Sequence, residues 1–255
     1  MPTISISSHC GGVGRTTTVA NISPVFASLG YKVLAIDFSS QPNLKNHVGT
    51  LVNFRSDKTI DNVLRKELNI EKAIVSTRFG FDFLGCSWYL NSNKYINYHN
   101  EASNILKEAL ESIKEYYDYI FIDLPARPTF IDDCGLAASD FVLIPINSSC
   151  TSKIGLESAV NSVYTLNKKF SSNITILGSF VSKKPLTKLD KELLRNSVEY
   201  AIDKKIEVLE PYINKSVIFE EEGLYGVPTT VLNKNHKVAK EYMDLALNIN
   251  RRLKT

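Results

Sequence analysis

Six short apolar runs punctuate the chain, and longer segments with an apolar residue every three or four positions separate them. The runs fall at 4–7, 33–37, 81–85, 119–123, 141–146 and 174–181. Several are continuous and β-branched, the pattern of strands covered on both faces of a parallel sheet. Helical spacing falls at 15–29, 60–66, 101–117, 153–169, 188–203 and 235–253. Strand and helix in alternation require crossover connections. They predict an α/β fold, a doubly wound and mostly parallel sheet flanked by helices. Pro24 lies inside the first helical segment, so that helix is expected to be kinked or short. The Asn-rich stretch 91–100, with Tyr95, Tyr98 and His99, reads as a surface loop. No internal repeat or low-complexity linker breaks the pattern, and a single domain over 1–255 is expected.

Composition narrows the function classes. The chain has 255 residues, 44% hydrophobic and 22% charged, ordinary for a globular protein. Its net charge of +3 leaves nucleic-acid binding dependent on local clusters of cations. No apolar run reaches the roughly 20 residues that span a bilayer. The N-terminal MPTISIS lacks the basic and apolar regions of a signal peptide, so no membrane partner and a cytoplasmic address are expected. Cys10, Cys86, Cys134 and Cys150 are scattered without a CxxC pair, which suggests free thiols in a reducing compartment.

The chemistry concentrates in SHCGGVGRTTT, residues 8–18. Gly11, Gly12 and Gly14 permit positive φ and close approach of the backbone to phosphate oxygens. The stretch follows a strand and opens a helix, so the N–H groups of residues 11–17 and the helix N-terminus can face an anion. Thr16 is placed to ligate Mg²⁺, and Thr17 adds a second hydroxyl. On these residues alone a purely structural glycine turn stays open.

This stretch resembles the deviant Walker A box of the ParA/MinD/Soj group of partition and positioning ATPases, whose consensus is K-G-G-x-G-K-S/T-S/T. Here it reads Cys10-Gly11-Gly12-Val13-Gly14-Arg15-Thr16-Thr17. Four further segments match in order. VLAIDFSSQPNL (33–44) is similar to the strand ending D-x-D-P-Q-x-N, and YDYIFIDLPARP (117–128) to the Walker B strand ending I-D-x-P-P. GLAASDFVLIPINSSCTSKIGL (135–156) resembles the A-L-x-A-S-D-x-V-L-I-P segment, and EEGLYGVPTT (221–230) the E-A-x-x-x-G-x-P tail. The resemblance implies a P-loop fold that binds ATP or ADP with Mg²⁺ and forms a homodimer. It also implies non-specific DNA binding and a role in DNA partition or cargo positioning, with a small adaptor protein as partner. Nucleotide contacts are expected from Gly11, Gly12, Val13, Gly14, Arg15, Thr16 and Thr17, and the metal shell from Thr16, Asp37 and Asp123.

Three departures bear on catalysis. The family's loop lysine neutralises the β- and γ-phosphates, and Arg15 keeps that charge on a larger, planar group. The first lysine of the box reaches the partner subunit's phosphates, and Cys10 cannot supply its charge. The second aspartate of D-x-D positions the attacking water, and Ser39 is a poor substitute. Hydrolysis is therefore expected to be very weak or absent, while the backbone cradle keeps nucleotide binding available. Lys153 has two readings, a substitute cation and a solvated lysine at a helix start. A redox-sensitive Cys10 is a further alternative. Gln41 and Asn43 are read either as loop packing or as part of a switch. DNA contacts are expected from Lys183, Lys184, Lys188 and Lys191 and from Arg251, Arg252 and Lys254, diluted by Asp190, Glu192 and the run Glu220–Glu222. Leu245, Leu247, Ile249 and Leu253 are read as packing residues rather than a membrane anchor. A second reading from another class is a pseudo-ATPase scaffold that pairs with an intact paralogue.

Overall fold

The computed structural model describes residues 1–39, 41–49, 58–88, 90 and 104–254. In chain order the elements are β1 (Thr3–Ile6), α1 (Arg15–Ser28), β2 (Val33–Asp37), α2 (Leu44–His47), α3 (Ile60–Leu64), α4 (Ile70–Ala73), β3 (Val75–Ser76), β4 (Asp82–Leu84) and α5 (Ile105–Glu111). There follow β5 (Tyr119–Asp123), α6 (Phe130–Ala137), β6 (Phe141–Ile146), α7 (Ser152–Phe170), β7 (Thr175–Val181), α8 (Lys188–Asp203), β8 (Val208–Leu209), α9 (Ile218–Tyr225), α10 (Thr229–Leu232) and α11 (Lys237–Arg252). The eight strands form one sheet in the order β3-β4-β2-β5-β1-β6-β7-β8. Only the β3–β4 pair is antiparallel, so the predicted doubly wound α/β sheet is what forms.

Alternating strand positions feed two cores, one on each face. Ile120 and Ile122 of β5 join Leu34, Ile36, Val142 and Ile144 on the face covered by α3, α5, α6, α7 and α8. Phe121 and Tyr119 point the other way, with Ile4, Ile6 and Phe83, against Phe26 of α1 and Tyr242, Leu245 and Ile249 of α11. Burial on both faces explains why these strands read as continuous apolar runs.

Several sequence expectations are corrected. α1 is not cut short at Pro24. It runs through to Ser28 with Thr18–Phe26 buried, because packing on that face outweighs the hydrogen bond that proline forfeits. The segment read as one helix over 101–117 is helical only at Ile105–Glu111 and continues as turns, and 101–103 lie outside the described residues. Tyr95, Tyr98 and His99 also lie outside them. On α11, Leu245 and Ile249 are buried and Leu253 packs against the core, but Leu247 faces solvent.

Candidate functional site

The site gathers where the parallel strands end. β1 and β5 are neighbours, as are β5 and β2, so their C-terminal ends share one edge. Ligand sites of open α/β sheets lie at this edge. The loop after β1 turns through Gly12 (φ 68°) and Gly14 (φ 80°) into α1. Gly14 is the N-cap of α1 in the left-handed region, and no side chain caps the helix. The first N–H groups of α1 and the positive end of its dipole are thus open to an anion.

Asp37 and Asp123 end β2 and β5 and stand directly opposite in register. Both are buried. Asp37 accepts from Leu44 N and Ser39 Oγ, each at 3.0 Å. Asp123 Oδ2 accepts from Thr16 Oγ1 at 2.6 Å, while its Oδ1 is buried without a partner. Burial and the neighbouring Asp123 charge push Asp37 up to about 7, and burial pushes Asp123 up to about 6. Two buried carboxylates that repel each other, one with an orphaned oxygen beside a threonine hydroxyl, form a set of hard oxygen donors suited to Mg²⁺.

Arg15 does not extend freely. Its Nε donates to Leu124 O at 3.0 Å, and its Nη1 donates to Ser8 O and Cys10 O. The guanidinium therefore ties the end of β1 to the end of β5. Burial lowers its pKa, countered by the charges of Asp123, Cys10 and Asp132. Among the described residues Nη2 has no partner, which leaves that nitrogen for a ligand. A cavity of about 180 Å³ opens here, lined by Arg15, Thr16, Ser39, Gln41, Asn43, Asp123 and also Arg127.

A family model described as an AAA domain matches residues 1–176. The sporulation initiation inhibitor protein Soj of Bacillus subtilis is 27% identical over 246 residues, covering 95% of this chain and 96% of its own. The chain belongs to the ParA/MinD family of P-loop ATPases. Among solved structures, the cell division ATPase MinD of Pyrococcus furiosus superposes with a TM-score of 0.78 at 26% identity, covering 98% of both chains. A variant of Cyanothece McdA in complex with ATP gives 0.85 at 24% identity, covering 98% of this chain and 96% of its own, a likeness of fold.

Set against the ParA/MinD pattern, the position of the missing lysine is informative. Cys10 is 3% exposed and turned inward, its Sγ 3.1 Å from Thr151 Oγ1. Gly155 allows this approach, since a Cβ there would lie 2.6 Å from Cys10 Cβ and 2.8 Å from Cys10 N. Buried in this way, Cys10 is poorly placed to act as a redox-sensitive thiol. Beside it, His9 was missed by sequence reasoning. Its Nε2 pairs with Asp132 Oδ2 at 2.8 Å and its Nδ1 with Ser158 Oγ at 2.7 Å, both partners more than 120 residues away. A lone histidine carries no sequence signal for such distant partners.

The remaining candidates divide. Lys153 is exposed on the first turn of α7 and pairs with Glu157 at 3.6 Å, outside the cavity lining. Ser39 shares its proton between Asp37 and Gln41 O, and Gln41 and Asn43 are exposed on the cavity rim. Lys183, Lys184, Lys188 and Lys191 are exposed beyond the C-terminal end of β7. Arg252 instead grips Glu207, just ahead of β8, with both terminal nitrogens, and Lys254 lies over the Tyr31 ring. Glu222 is not part of an acidic surface. It is fully buried, accepting from Asn21 Nδ2, Thr229 N and Thr229 Oγ1 and pairing with His47.

Proposed function

We propose that this chain binds ATP or ADP with Mg²⁺ and acts in DNA partition or cargo positioning, through nucleotide-dependent dimerisation and non-specific DNA binding, with very weak or absent hydrolysis. The observation that carries the reading is the uncapped N-terminus of α1, whose Thr16 donates to Asp123, with Asp37 in register beside it and Asp123 Oδ1 orphaned. The likeness to the chromosome-partitioning ATPase Soj of Treponema pallidum, 26% identical over 248 residues, supports the partition role. Thr16, Asp37 and Asp123 are the residues that would hold Mg²⁺, which when bound neutralises charge on the β- and γ-phosphates. The loop backbone orients the phosphates and Arg15 Nη2 adds one charge-assisted hydrogen bond. Ser39 offers no carboxylate to orient a water.

Calorimetry with ATP and ADP, with and without Mg²⁺, tests the reading. Mg²⁺-dependent micromolar binding, together with dimerisation in light scattering on adding nucleotide, is the expected result. No binding at millimolar nucleotide overturns it. A second reading, a scaffold that uses no nucleotide, is favoured by one observation. Arg15 spends three hydrogen bonds on backbone carbonyls that hold the loop without a ligand. Turnover by purified protein that Asp123→Ala abolishes would exclude that reading.

A further inference from the structure

We propose that Arg127 is a phosphate-binding cation supplied in cis, standing in for the lysine that Cys10 replaces. The inference rests on the nucleotide-binding reading above and assigns a residue to that site. Arg127 lies in the loop between β5 and α6 and lines the same cavity as Thr16, Asp123, Ser39 and Arg15. Arg15 and Arg127 are the two cations in that lining. Arg15 has most of its donors committed to carbonyls. Arg127 has no hydrogen bond or ion pair among the described residues, and the residue is exposed.

The local sequence presents this side chain from a stiff support. Pro125 and Pro128 bracket it, fixing φ at two positions, and a residue before proline is confined to extended backbone. Upstream, Leu124 O is held by Arg15. Downstream, Thr129 caps α6 through Asp132 N at 3.3 Å. The guanidinium thus hangs from a backbone segment anchored at both ends, so meeting an anion orders the side chain but little of the backbone.

Chemistry and position select the ligand. A guanidinium fork matches phosphate oxygens in a bidentate geometry. In a P-loop site the oxygens nearest the metal-side threonine and the strand-end aspartate belong to the terminal phosphates. Arg127 shares a cavity with both residues, so its contact falls on the γ-phosphate rather than on the base or ribose. A cation placed there in cis would offset charge that the family meets from the partner subunit.

The test is nucleotide affinity by calorimetry with Mg²⁺, comparing ADP with the non-hydrolysable adenylyl imidodiphosphate. For Arg127→Ala and Arg127→Gln, affinity for the triphosphate analogue is expected to fall roughly tenfold or more, with ADP affinity held within about twofold. Arg127→Lys recovers part of the loss, since it keeps the charge without the fork. Unchanged triphosphate affinity overturns the inference, and so does an equal loss for both nucleotides. A wild-type protein that binds neither nucleotide fails one step earlier, removing the nucleotide reading itself. Thermal unfolding of each variant identifies any that does not fold, and the Gln variant, close to Arg in length, then carries the test.

Discussion

Asp37 and Asp123 hold two buried carboxyl groups in register, and the consequence is a pH dependence of stability. Their folded values, about 7 and about 6, lie above the ordinary carboxylate range. The folded state therefore keeps protons that the unfolded chain releases between pH 4 and 7. Stability from this source is present at low pH and lost as pH rises through that window. Relative to wild type, Asp37→Asn is expected to flatten the decline by on the order of 3 kcal/mol. Urea midpoints at pH 5 and pH 7.5 measure it. An equal slope in both proteins would mean that the repulsion is relieved elsewhere. At this scale the glycines and Thr16 were legible from spacing, because the loop geometry requires those residue types, while Asp37 and Asp123 were expected only through the family resemblance. The fold-back of Arg15 was not, since the sequence shows a charge but not which carbonyls lie within its reach. Arg127 escaped notice because a single arginine between prolines has no pattern of its own.

The loop is also held by α7, and this contact makes the element-scale prediction. His9 N donates to Gly155 O at 3.2 Å, while Cys10 rests against the missing side chain of Gly155. Gly155→Ala would drive a methyl into the Cys10 backbone nitrogen at 2.8 Å, and backbone cannot step aside as a side-chain tip can. The variant is expected to lose about 1–3 kcal/mol in denaturant unfolding. Cys10→Gly in the same chain removes the Cβ clash but not the clash with nitrogen, so it should restore only part. Full restoration would show that the loop backbone yields more easily than its hydrogen bonds imply. The long elements behind this arrangement, α1, α7, α8 and α11, were legible because their period persists over many residues. β3 and β8, two residues each, carry no periodicity to read. α6 starts in the gap between the segments 117–128 and 135–156, where no helical spacing was read. Its helical start depends on the Thr129 cap and on Asp132, which His9 holds from 123 residues upstream.

At the scale of the molecule the two basic groups separate. Lys183 and Lys184 follow the C-terminal end of β7, whereas Arg252 grips Glu207 ahead of β8, which runs parallel to β7. Glu207 stands level with Gly178, so about 10 Å of β7 separates it from that strand's C-terminal end. A duplex needs several free cations on one face, so the contact is decided by which of these groups has its charge uncommitted. Arg252 is already neutralised by a bidentate carboxylate and Lys254 is engaged by an aromatic ring. By contrast, Lys184 N bonds Ile213 O at 2.7 Å, which brings exposed Lys215 beside Lys183, Lys184, Lys188 and Lys191. If the protein binds DNA, the end with Lys183 and Lys184 is expected to carry the contact. Each lysine that meets a phosphate adds about 0.9 to the slope of log affinity against log salt. The double change Lys183→Ala with Lys184→Ala should therefore lower that slope by about 2, while Arg251→Ala with Lys254→Ala leaves it unchanged. Fluorescence anisotropy of a labelled duplex between 50 and 200 mM salt, with nucleotide and Mg²⁺ present, reads both slopes. If the second pair of changes lowers the slope instead, DNA meets the opposite end of the sheet, and the lysines after β7 are a solvated surface.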